Sequence, residues 1–221
     1  VIAGQGTVAL ELIDQMPEID SVVCSVGGGG LLAGISVVLE SLSPRTKIYG
    51  AQAKGAPAMT LSLKKGRPVS VEKVETFADG IAVGTTRRTT FDILRKSVDR
   101  MLLADDESIA AAILTLAEKA KVVAEGAAAV SVAVLDQIRK EIRGKKVAVI
   151  VCGGNIDVNV LNRIIDRGLV RMGRRLRVNV LISDRPGSLA RLTAAIAAAG
   201  ANVIQAIHDR SEPSTTLDRT D

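Results

Sequence analysis

Aromatic residues are almost absent from this chain, which has no Trp, one Tyr and two Phe among its 221 residues. Hydrophobic residues still make up 47% of the sequence, so Ala, Val, Ile and Leu must build the sizeable core that we expect. No apolar run is long enough to span a bilayer, and the start of the chain does not read as a signal peptide. We therefore expect no membrane partner.

Cysteine and histidine are also scarce. Cys24 and Cys152 each end an apolar run and lie far apart in sequence, and His208 is the one histidine. This distribution argues against a disulfide framework, and we therefore expect a cytoplasmic protein in a reducing environment. It also offers no cluster of metal ligands, so no metal site is predicted.

The net charge of +5 is concentrated in one stretch, since residues 163–191 contain eight Arg and two Asp. Arg163, Arg167 and Arg171 recur every four residues, and no aromatic residue lies between them. This pattern is typical of a solvated helix face that leads into a linker, and no nucleic-acid partner is predicted.

Apolar runs alternate with stretches of helical periodicity along the chain. Strands are predicted at 21–26, 47–52 and 146–151, with a short strand within 78–83. Helices are predicted at 4–16, 31–42, 56–65, about 106–122 with Asp105 or Asp106 as cap, 125–139 and 157–170. This alternation predicts an α/β fold, a parallel sheet with helices on both faces.

The pattern of alternating apolar and helical stretches ends at residues 168–175, which are predicted to form a basic linker. A strand (176–182), a helix (189–199) and a second strand (202–207) are predicted after it. We therefore divide the chain into domains 1–170 and 171–221.

Four consecutive glycines, Gly27, Gly28, Gly29 and Gly30, separate the first predicted strand from the next helix. A phosphate needs several backbone N–H donors directed at one point, and side chains would obstruct that approach. A flexible turn is the plainer explanation, but one glycine suffices for a turn and each glycine costs entropy. The run therefore predicts a phosphate-binding loop.

Nucleotide phosphates fit this loop poorly. A dinucleotide-binding fold has an acidic residue at the end of the next strand to bind a ribose hydroxyl, and residues 41–71 contain neither Asp nor Glu. A nucleotide P-loop wants Gly-Lys-Ser/Thr after its glycines, whereas Leu31, Leu32 and Ala33 follow here.

A second glycine turn, Cys152-Gly-Gly-Asn155, also lies between a predicted strand and a helix. In a parallel sheet both turns lie on the carboxyl edge, where ligands bind. Cys152 would then direct a weak donor at the ligand, although a small buried hydrophobe is the commoner role of a free cysteine.

Four motifs in this order and spacing resemble those of threonine ammonia-lyase (threonine dehydratase), a fold-type II pyridoxal-phosphate enzyme family. They are Ser25-Val-Gly-Gly-Gly-Gly-Leu31, Ala78-Asp-Gly-Ile-Ala-Val83, Ala124-Glu-Gly-Ala127 and Cys152-Gly-Gly-Asn155. Any one motif alone is weak, but the set is specific. The resemblance runs from the first residue to about Ile207.

The resemblance implies pyridoxal 5′-phosphate as cofactor. The N–H groups of Gly27–Leu31 would bind its phosphate, and Cys152 would hydrogen-bond the pyridine nitrogen. Gly80 and Glu125 would line the substrate pocket. The family's reaction converts L-threonine to 2-oxobutanoate and ammonia by β-elimination.

The family's Schiff-base lysine lies in a Ser-x-Lys-type motif that this sequence does not contain. The lysines present, for example Lys64, Lys65, Lys145 and Lys146, sit in charged, exposed contexts. We therefore expect an internal fragment that is inactive alone, with no catalytic residue of its own. Some family members carry a carboxylate-bound divalent metal near the strand ending at Gln52, and the lack of acids in 41–71 predicts none here.

Residues 176–207 resemble the first half of an ACT regulatory domain, with a ferredoxin-like fold. The effector residues implied are Asp184, Pro186, Gly187, Leu189 and Asn202. The resemblance further implies isoleucine or valine as effector and a homo-oligomer as the assembly.

Two alternatives remain open. A serine racemase or serine dehydratase shares the phosphate loop, and its substrate choice is set largely outside this segment. A non-catalytic amino-acid sensor that retains cofactor-like loops is the alternative from a different class.

Overall fold

The computed structural model describes residues 1–207 and 219–220. The chain divides into two compact units, Val1–Arg171 and Met172–Asp221. In the described part of the chain, no helix combines the length and apolar character needed to cross a membrane.

The first unit is built on a sheet of four strands: β1 (Ser21–Ser25), β2 (Lys47–Ala53), β3 (Arg100–Ala104) and β4 (Val147–Val149). Their order is β3-β2-β1-β4, and every neighbouring pair is parallel. Val22 of β1 lies opposite Ile48 of β2 and Ala148 of β4. The predicted parallel sheet is confirmed, and the carboxyl ends of all four strands share one edge.

Helices flank the strands along the whole of this unit. They are α1 (Ile2–Gln5), α2 (Thr7–Gln15), α3 (Gly30–Leu42), α4 (Ala58–Lys65), α5 (Arg88–Ser97), α6 (Asp106–Thr115), α7 (Gly126–Ala133), α8 (Arg139–Ile142) and α9 (Val158–Arg171). Asp105 caps α6, since its Oδ1 accepts a hydrogen bond from the Ser108 N–H at 2.9 Å.

Both faces of the sheet are covered because successive residues of a strand point to opposite sides. Val22 and Cys24 pack in one buried cluster with Leu32 of α3. Val23 packs in a second cluster with Val130 of α7. The predicted arrangement of helices on both faces is confirmed.

Three local predictions in this unit are wrong. Residues 78–83 form no strand, because the chain turns in a 3₁₀-helix at Asp79–Ile81 and packs closely against α7. The helix predicted to reach Val122 becomes π-helical at Leu116–Ala120 and ends where Lys121 takes a left-handed conformation. The helix predicted over 125–139 is interrupted by a 3₁₀ turn, Leu135–Ile138, which carries Ile138 into the core.

The basic face of α9 is solvated, as predicted, and the helix continues to Arg171, beyond the predicted start of the linker. Guanidinium nitrogens of Arg167 and Arg171 lie 3.7 and 3.9 Å from carboxylate oxygens of Glu107, in the first turn of α6.

The second unit contains β5 (Ile182–Ser183), α10 (Ser188–Ala198) and β6 (Arg219–Thr220), with β5 and β6 antiparallel. The helix is confirmed. The strands predicted at 176–182 and 202–207 are wrong except at Ile182. Leu176 and Ile204 are 81% and 72% exposed, and an alternating pattern forms a strand only where a partner pairs with it and buries one face.

Candidate functional site

The glycine turn lies at the carboxyl edge of the sheet, directly after β1. The N–H of Val26 donates to the carbonyl of Ala51 at 2.8 Å, which extends the β1–β2 ladder by one residue. Gly27–Gly29 then cross the edge, and α3 begins at Gly30. The turn therefore joins a central strand to the N-terminus of a helix, as predicted.

The glycines in this turn are required for two different reasons. A Cβ on Gly27 would lie 3.1 Å from Ile81 Cα, and one on Gly29 would lie 2.9 Å from Leu94 Cδ1. Gly29 also has a φ of +85°, which disfavours other residues. A Cβ on Gly28, in contrast, would have no neighbour within 4 Å. Packing thus explains Gly27 and Gly29, whereas Gly28 leaves open space above the turn.

The amides of this turn are free to bind an anion. Among the described residues, no acceptor engages the N–H groups of Gly27, Gly28, Gly29, Gly30 and Leu31. The first internal bond of the turn runs from the Ala33 N–H to the Gly29 carbonyl at 2.9 Å. Unpaired amides at the positive end of a helix suit a phosphate group, so the turn fits the predicted ligand.

The second glycine turn approaches the first from β4. The N–H of Ile150 donates to the Val23 carbonyl at 2.9 Å, so β4 stays beside β1 to its end. Cys152 is exposed, and Ser25, the last residue of β1, is close enough to its thiol to lower the pKa of Cys152. The structure therefore brings Cys152 to the glycine turn, as the shared sheet edge predicted.

Glu125 lies between Gly80, the other predicted pocket residue, and the second glycine turn. Its N–H donates to the Gly153 carbonyl at 3.1 Å, which ties the start of α7 to the second glycine turn. A Cβ on Gly153 would lie 2.7 Å from Glu125 Cδ, and one on Gly80 would lie 3.3 Å from Glu125 Oε1. The Gly80 carbonyl in turn is 3.5 Å from the position of a Cβ on Gly27. Gly80, Glu125, Cys152 and the glycine turn thus form one continuous cluster.

The electrostatics of this cluster keep the Cys152 thiol protonated. Desolvation, and after it the negative charge of Glu125, raise the pKa of Cys152, while the hydrogen bond with Ser25 opposes the shift. Burial raises the pKa of the Cys24 thiol as well, but this residue packs in the core on the face of α3. Cys152 is therefore a neutral donor at this edge.

The four lysines that the sequence analysis named lie away from this cluster. Lys64 and Lys65 end α4, and Lys145 and Lys146 precede β4 at the amino edge of the sheet. Lys146 Nζ is 2.8 Å from Glu18 Oε2 in an exposed ion pair. None of these four lysines belongs to the cluster around Glu125.

Gln52 places an amide near the end of β2, where a dinucleotide-binding fold has an acidic residue. It is fully buried, and its Oε1 accepts from both the Thr60 N–H (2.9 Å) and the Thr60 hydroxyl (2.7 Å). Its Nε2 donates to the Ala56 carbonyl at 3.3 Å. Among the described residues, which exclude His208, no three metal-ligating side chains group together.

In the second unit, the turn Asp184–Gly187 leads into α10, and Gly187 has a φ of +86° at the helix N-cap. Leu189 lies in the first turn of α10, and Asn202 is an exposed residue after it. The turn brings Asp184, Pro186, Gly187 and Leu189 together, and no contact that is described joins Asn202 to them.

A polar cluster beside this turn was missed from the sequence. The hydroxyls of Ser183 and Ser188 are 3.1 Å apart, and an Arg191 guanidinium nitrogen donates to Ser188 at 3.1 Å. Together with Ile182 and Leu192, these residues line a cavity of about 330 Å³. The signal was weak, because a Ser at the start of a helix is an ordinary capping residue.

Two residues of the first unit were quoted in motifs but given no role, namely Ser25 and Gly153. Ser25 partners the Cys152 thiol, and Gly153 leaves room for the Glu125 carboxylate with a φ of +131°. Only the three-dimensional contact between the two turns reveals either role.

A protein-family model described as pyridoxal-phosphate dependent enzyme matches residues 1–153. The chain belongs to this family. A model of the ACT domain matches residues 176–221. Pyridoxal phosphate is therefore the cofactor, and the unpaired amides of the glycine turn fit its phosphate group.

Curated relatives of this pyridoxal-phosphate dependent chain share much of its sequence. It is 49% identical over 212 residues to an L-threonine ammonia-lyase of Thermotoga maritima, covering 96% of the chain and 52% of the relative. It is 42% identical over 222 residues to an L-threonine ammonia-lyase of Geobacter sulfurreducens, covering 100% of the chain and 55% of the relative. The chain thus spans about half the length of these curated relatives.

Solved structures agree on the fold. The processed form of threonine deaminase isoform 2 from Solanum lycopersicum matches with a TM-score of 0.71 at 35% identity, over 75% of this chain and 46% of that one. A maize serine racemase matches with a TM-score of 0.68 at 32% identity, over 75% and 54% of the two chains. These matches confirm the predicted fold class of a pyridoxal-phosphate enzyme.

Proposed function

We propose that this chain is the phosphate-binding part of an enzyme that converts L-threonine to 2-oxobutanoate and ammonia. The observation that carries the proposal is the open glycine turn beside Cys152 and Glu125 on one sheet edge. The 49% identity to an L-threonine ammonia-lyase supports threonine as the substrate. Residues 1–170 form the cofactor-binding domain in this proposal.

Pyridoxal phosphate, when bound, supplies an electron sink for the negative charge that develops at the substrate α-carbon. The turn at Gly27–Leu31 binds the phosphate through its unpaired amides, and Gly28 keeps the approach open. The backbone of this turn is fixed by β1 and α3, so the phosphate is held without rearrangement.

Cys152 serves as a neutral hydrogen-bond partner of the pyridine nitrogen. Desolvation, and after it the negative charge of Glu125, raise the pKa of Cys152 and keep the thiol protonated, with Ser25 beside it. A neutral partner does not force a proton onto the ring nitrogen as a carboxylate would. Glu125 and Gly80 also border the space in which the substrate lies.

The lysine that bonds the cofactor comes from outside these 221 residues in this proposal. The support is the position of Lys64, Lys65, Lys145 and Lys146, which end a helix or lie at the amino edge of the sheet. Alone, the 221-residue chain is expected to release no 2-oxobutanoate from L-threonine.

Residues 171–221 serve as a linker and part of an ACT regulatory domain in this proposal. The ACT match at 176–221 supports an amino-acid effector, and we infer isoleucine or valine bound near Asp184–Leu189 in a homo-oligomer. Calorimetry with isoleucine on the protein that includes the lysine-bearing segment tests this inference, and no heat at millimolar ligand contradicts it.

The activity is tested on a protein in which the lysine-bearing segment precedes residues 1–221. Release of 2-oxobutanoate from L-threonine is compared for Cys152→Ser, which keeps a hydrogen-bonding group, and Cys152→Ala, which removes it. We expect the Ser variant to stay active and the Ala variant to lose about tenfold in kcat. Equal activities of the two variants contradict the role of Cys152.

The serine racemase alternative is favoured by the match to the maize enzyme and is tested in the same preparation. Formation of D-serine from L-serine is measured beside 2-oxobutanoate release. Faster D-serine formation replaces the deaminase proposal by the racemase.

A further inference from the structure

A second polar cavity lies outside the cofactor cluster, at the end of α4 and the start of α5. Its volume is about 380 Å³, within the range of small-molecule sites. The residues that line it are Lys65, Arg67, Pro68, Val69, Ser70 and Thr86. None of them has a role in the proposed reaction.

The walls of this cavity are fixed by hydrogen bonds between two segments of the chain. The Thr86 N–H donates to the Val69 carbonyl at 3.2 Å, and the hydroxyls of Ser70 and Thr85 are 3.1 Å apart. The Val69 N–H donates to the hydroxyl of Ser62, a fully buried residue of α4. The cavity is therefore preformed.

Thr86 carries an unsatisfied polar group in this wall. The residue is 6% exposed, and its hydroxyl has no hydrogen-bond partner among the described residues. An orphaned buried hydroxyl is costly, and nearly all such groups in proteins have a partner. The hydroxyl oxygen is shielded from solvent within the wall, and a rotation about the Thr86 Cα–Cβ bond toward the cavity would let a ligand supply the missing partner.

The charge around the cavity is positive. Lys65 and Arg67 are exposed, and neither takes part in an ion pair among the described residues. Directly after Thr86, α5 begins with Arg87 at its N-cap and no side-chain cap, so the positive end of the helix dipole follows the cavity wall in sequence. Two cations, an orphaned hydroxyl and a helix N-terminus match a doubly charged oxyanion.

We propose that this cavity binds the phosphate group of a small molecule, separately from the phosphate held at the glycine turn. Arg67 pairs with two phosphate oxygens, Lys65 supplies a second charge, and the Thr86 hydroxyl donates to a third oxygen.

Calorimetric titration of the 221-residue chain with inorganic phosphate, at constant ionic strength, tests the site. The Gly28→Asp background removes phosphate binding at the glycine turn, because Gly28 has space for a side chain and the added charge repels the anion. In this background we expect one remaining phosphate site. The Lys65→Gln/Arg67→Gln variant should weaken it more than tenfold, and Thr86→Val about tenfold.

The matched control is Lys96→Gln/Lys140→Gln, which removes the same charge from exposed lysines that do not line the cavity. We expect its phosphate affinity to stay within about twofold. Thermal unfolding without phosphate checks the fold, and Thr86→Val should be at least as stable as the parent because it loses an unpaired hydroxyl.

Two results overturn the proposal. One is unchanged phosphate affinity in either Lys65→Gln/Arg67→Gln or Thr86→Val. The other is an equal loss in the control, which means that only net charge matters. If the parent and Gly28→Asp each show one site that needs Lys65 and Arg67, the cavity proposal stands and the glycine turn loses its phosphate role.

Discussion

The packed and the open glycine of the glycine turn predict very different losses of stability for the same substitution by alanine. In Gly29→Ala the new Cβ must be accommodated at a φ of +85°, which costs about 1 kcal/mol. It would also lie 2.9 Å from Leu94 Cδ1 and 3.0 Å from Met59 Cε, both in fully buried side chains. Overpacking of this kind costs about 2 kcal/mol.

The matched variant is Gly28→Ala, whose Cβ has no neighbour within 4 Å. We expect Gly29→Ala to lower the free energy of unfolding by about 3 kcal/mol and the unfolding midpoint by about 9 °C. For Gly28→Ala we expect a change within about 0.5 kcal/mol. Urea and thermal unfolding followed by far-UV circular dichroism measure both, since the chain has no Trp. Similar losses in the two variants would refute the division of the turn into packed and open glycines.

Three further predictions concern polar groups of the first unit. Tyr49→Phe removes the hydrogen bond to Glu141 (3.0 Å) and should cost about 1 kcal/mol in urea unfolding. Burial, and after it the hydrogen bond with Glu141, raise the pKa of Tyr49. The greater free energy of unfolding of the wild type should therefore shrink as pH rises above about 10, and a difference that stays constant with pH would contradict this. Asp105→Ala removes the α6 cap and should cost about 1 kcal/mol. The hydrogen bonds of that cap lower the pKa of Asp105. The difference in the free energy of unfolding between the wild type and Asp105→Ala should therefore disappear only as pH falls below about 4, and an undiminished difference in strong acid would count against the cap. Glu125→Gln should speed the reaction of Cys152 with a disulfide reagent several-fold near neutral pH, because it lowers the pKa of the thiol, whereas an unchanged rate would remove Glu125 from this role.

Much of the site could be predicted because its signals are local. The glycine run and the Cys152 turn follow apolar strands, and parallel pairing alone places both on one edge of the sheet. The role of Ser25 could not be predicted, because it depends on β4 lying beside β1 rather than on any sequence spacing.

The errors in the fold came from contacts that sequence does not show. β3 was missed because it is a short edge strand with a partly exposed pattern that starts at the exposed Arg100. The alternation at 176–182 looked like a strand, but within the described part of the chain Ile182 is the one residue of that range that pairs, with Thr220 of β6. The π-helical turn ends at Lys121 in a left-handed conformation, and nothing in the sequence indicates this because the residue is not a glycine. Each outcome was decided by tertiary packing rather than by periodicity.

Gln52 has a structural role near the end of β2, where its side-chain amide links the strand to Ala56 and Thr60. Gln52 satisfies its own polar atoms through Thr60 and Ala56 and leaves the end of the strand neutral. This arrangement explains how a fully buried polar side chain is accommodated beside the carboxyl edge without an ion.

The central claim is that the glycine turn holds the phosphate of the cofactor. Its most direct test is calorimetric titration with pyridoxine 5′-phosphate, which carries the same phosphate but no aldehyde to react with lysines. The Lys65→Gln/Arg67→Gln background excludes the second cavity, and pyridoxine without phosphate is the matched ligand. We predict binding of the phosphate ester alone, weakened at least about tenfold by Gly28→Asp. Equal binding to the parent and to Gly28→Asp, or equal binding of pyridoxine, would contradict the claim.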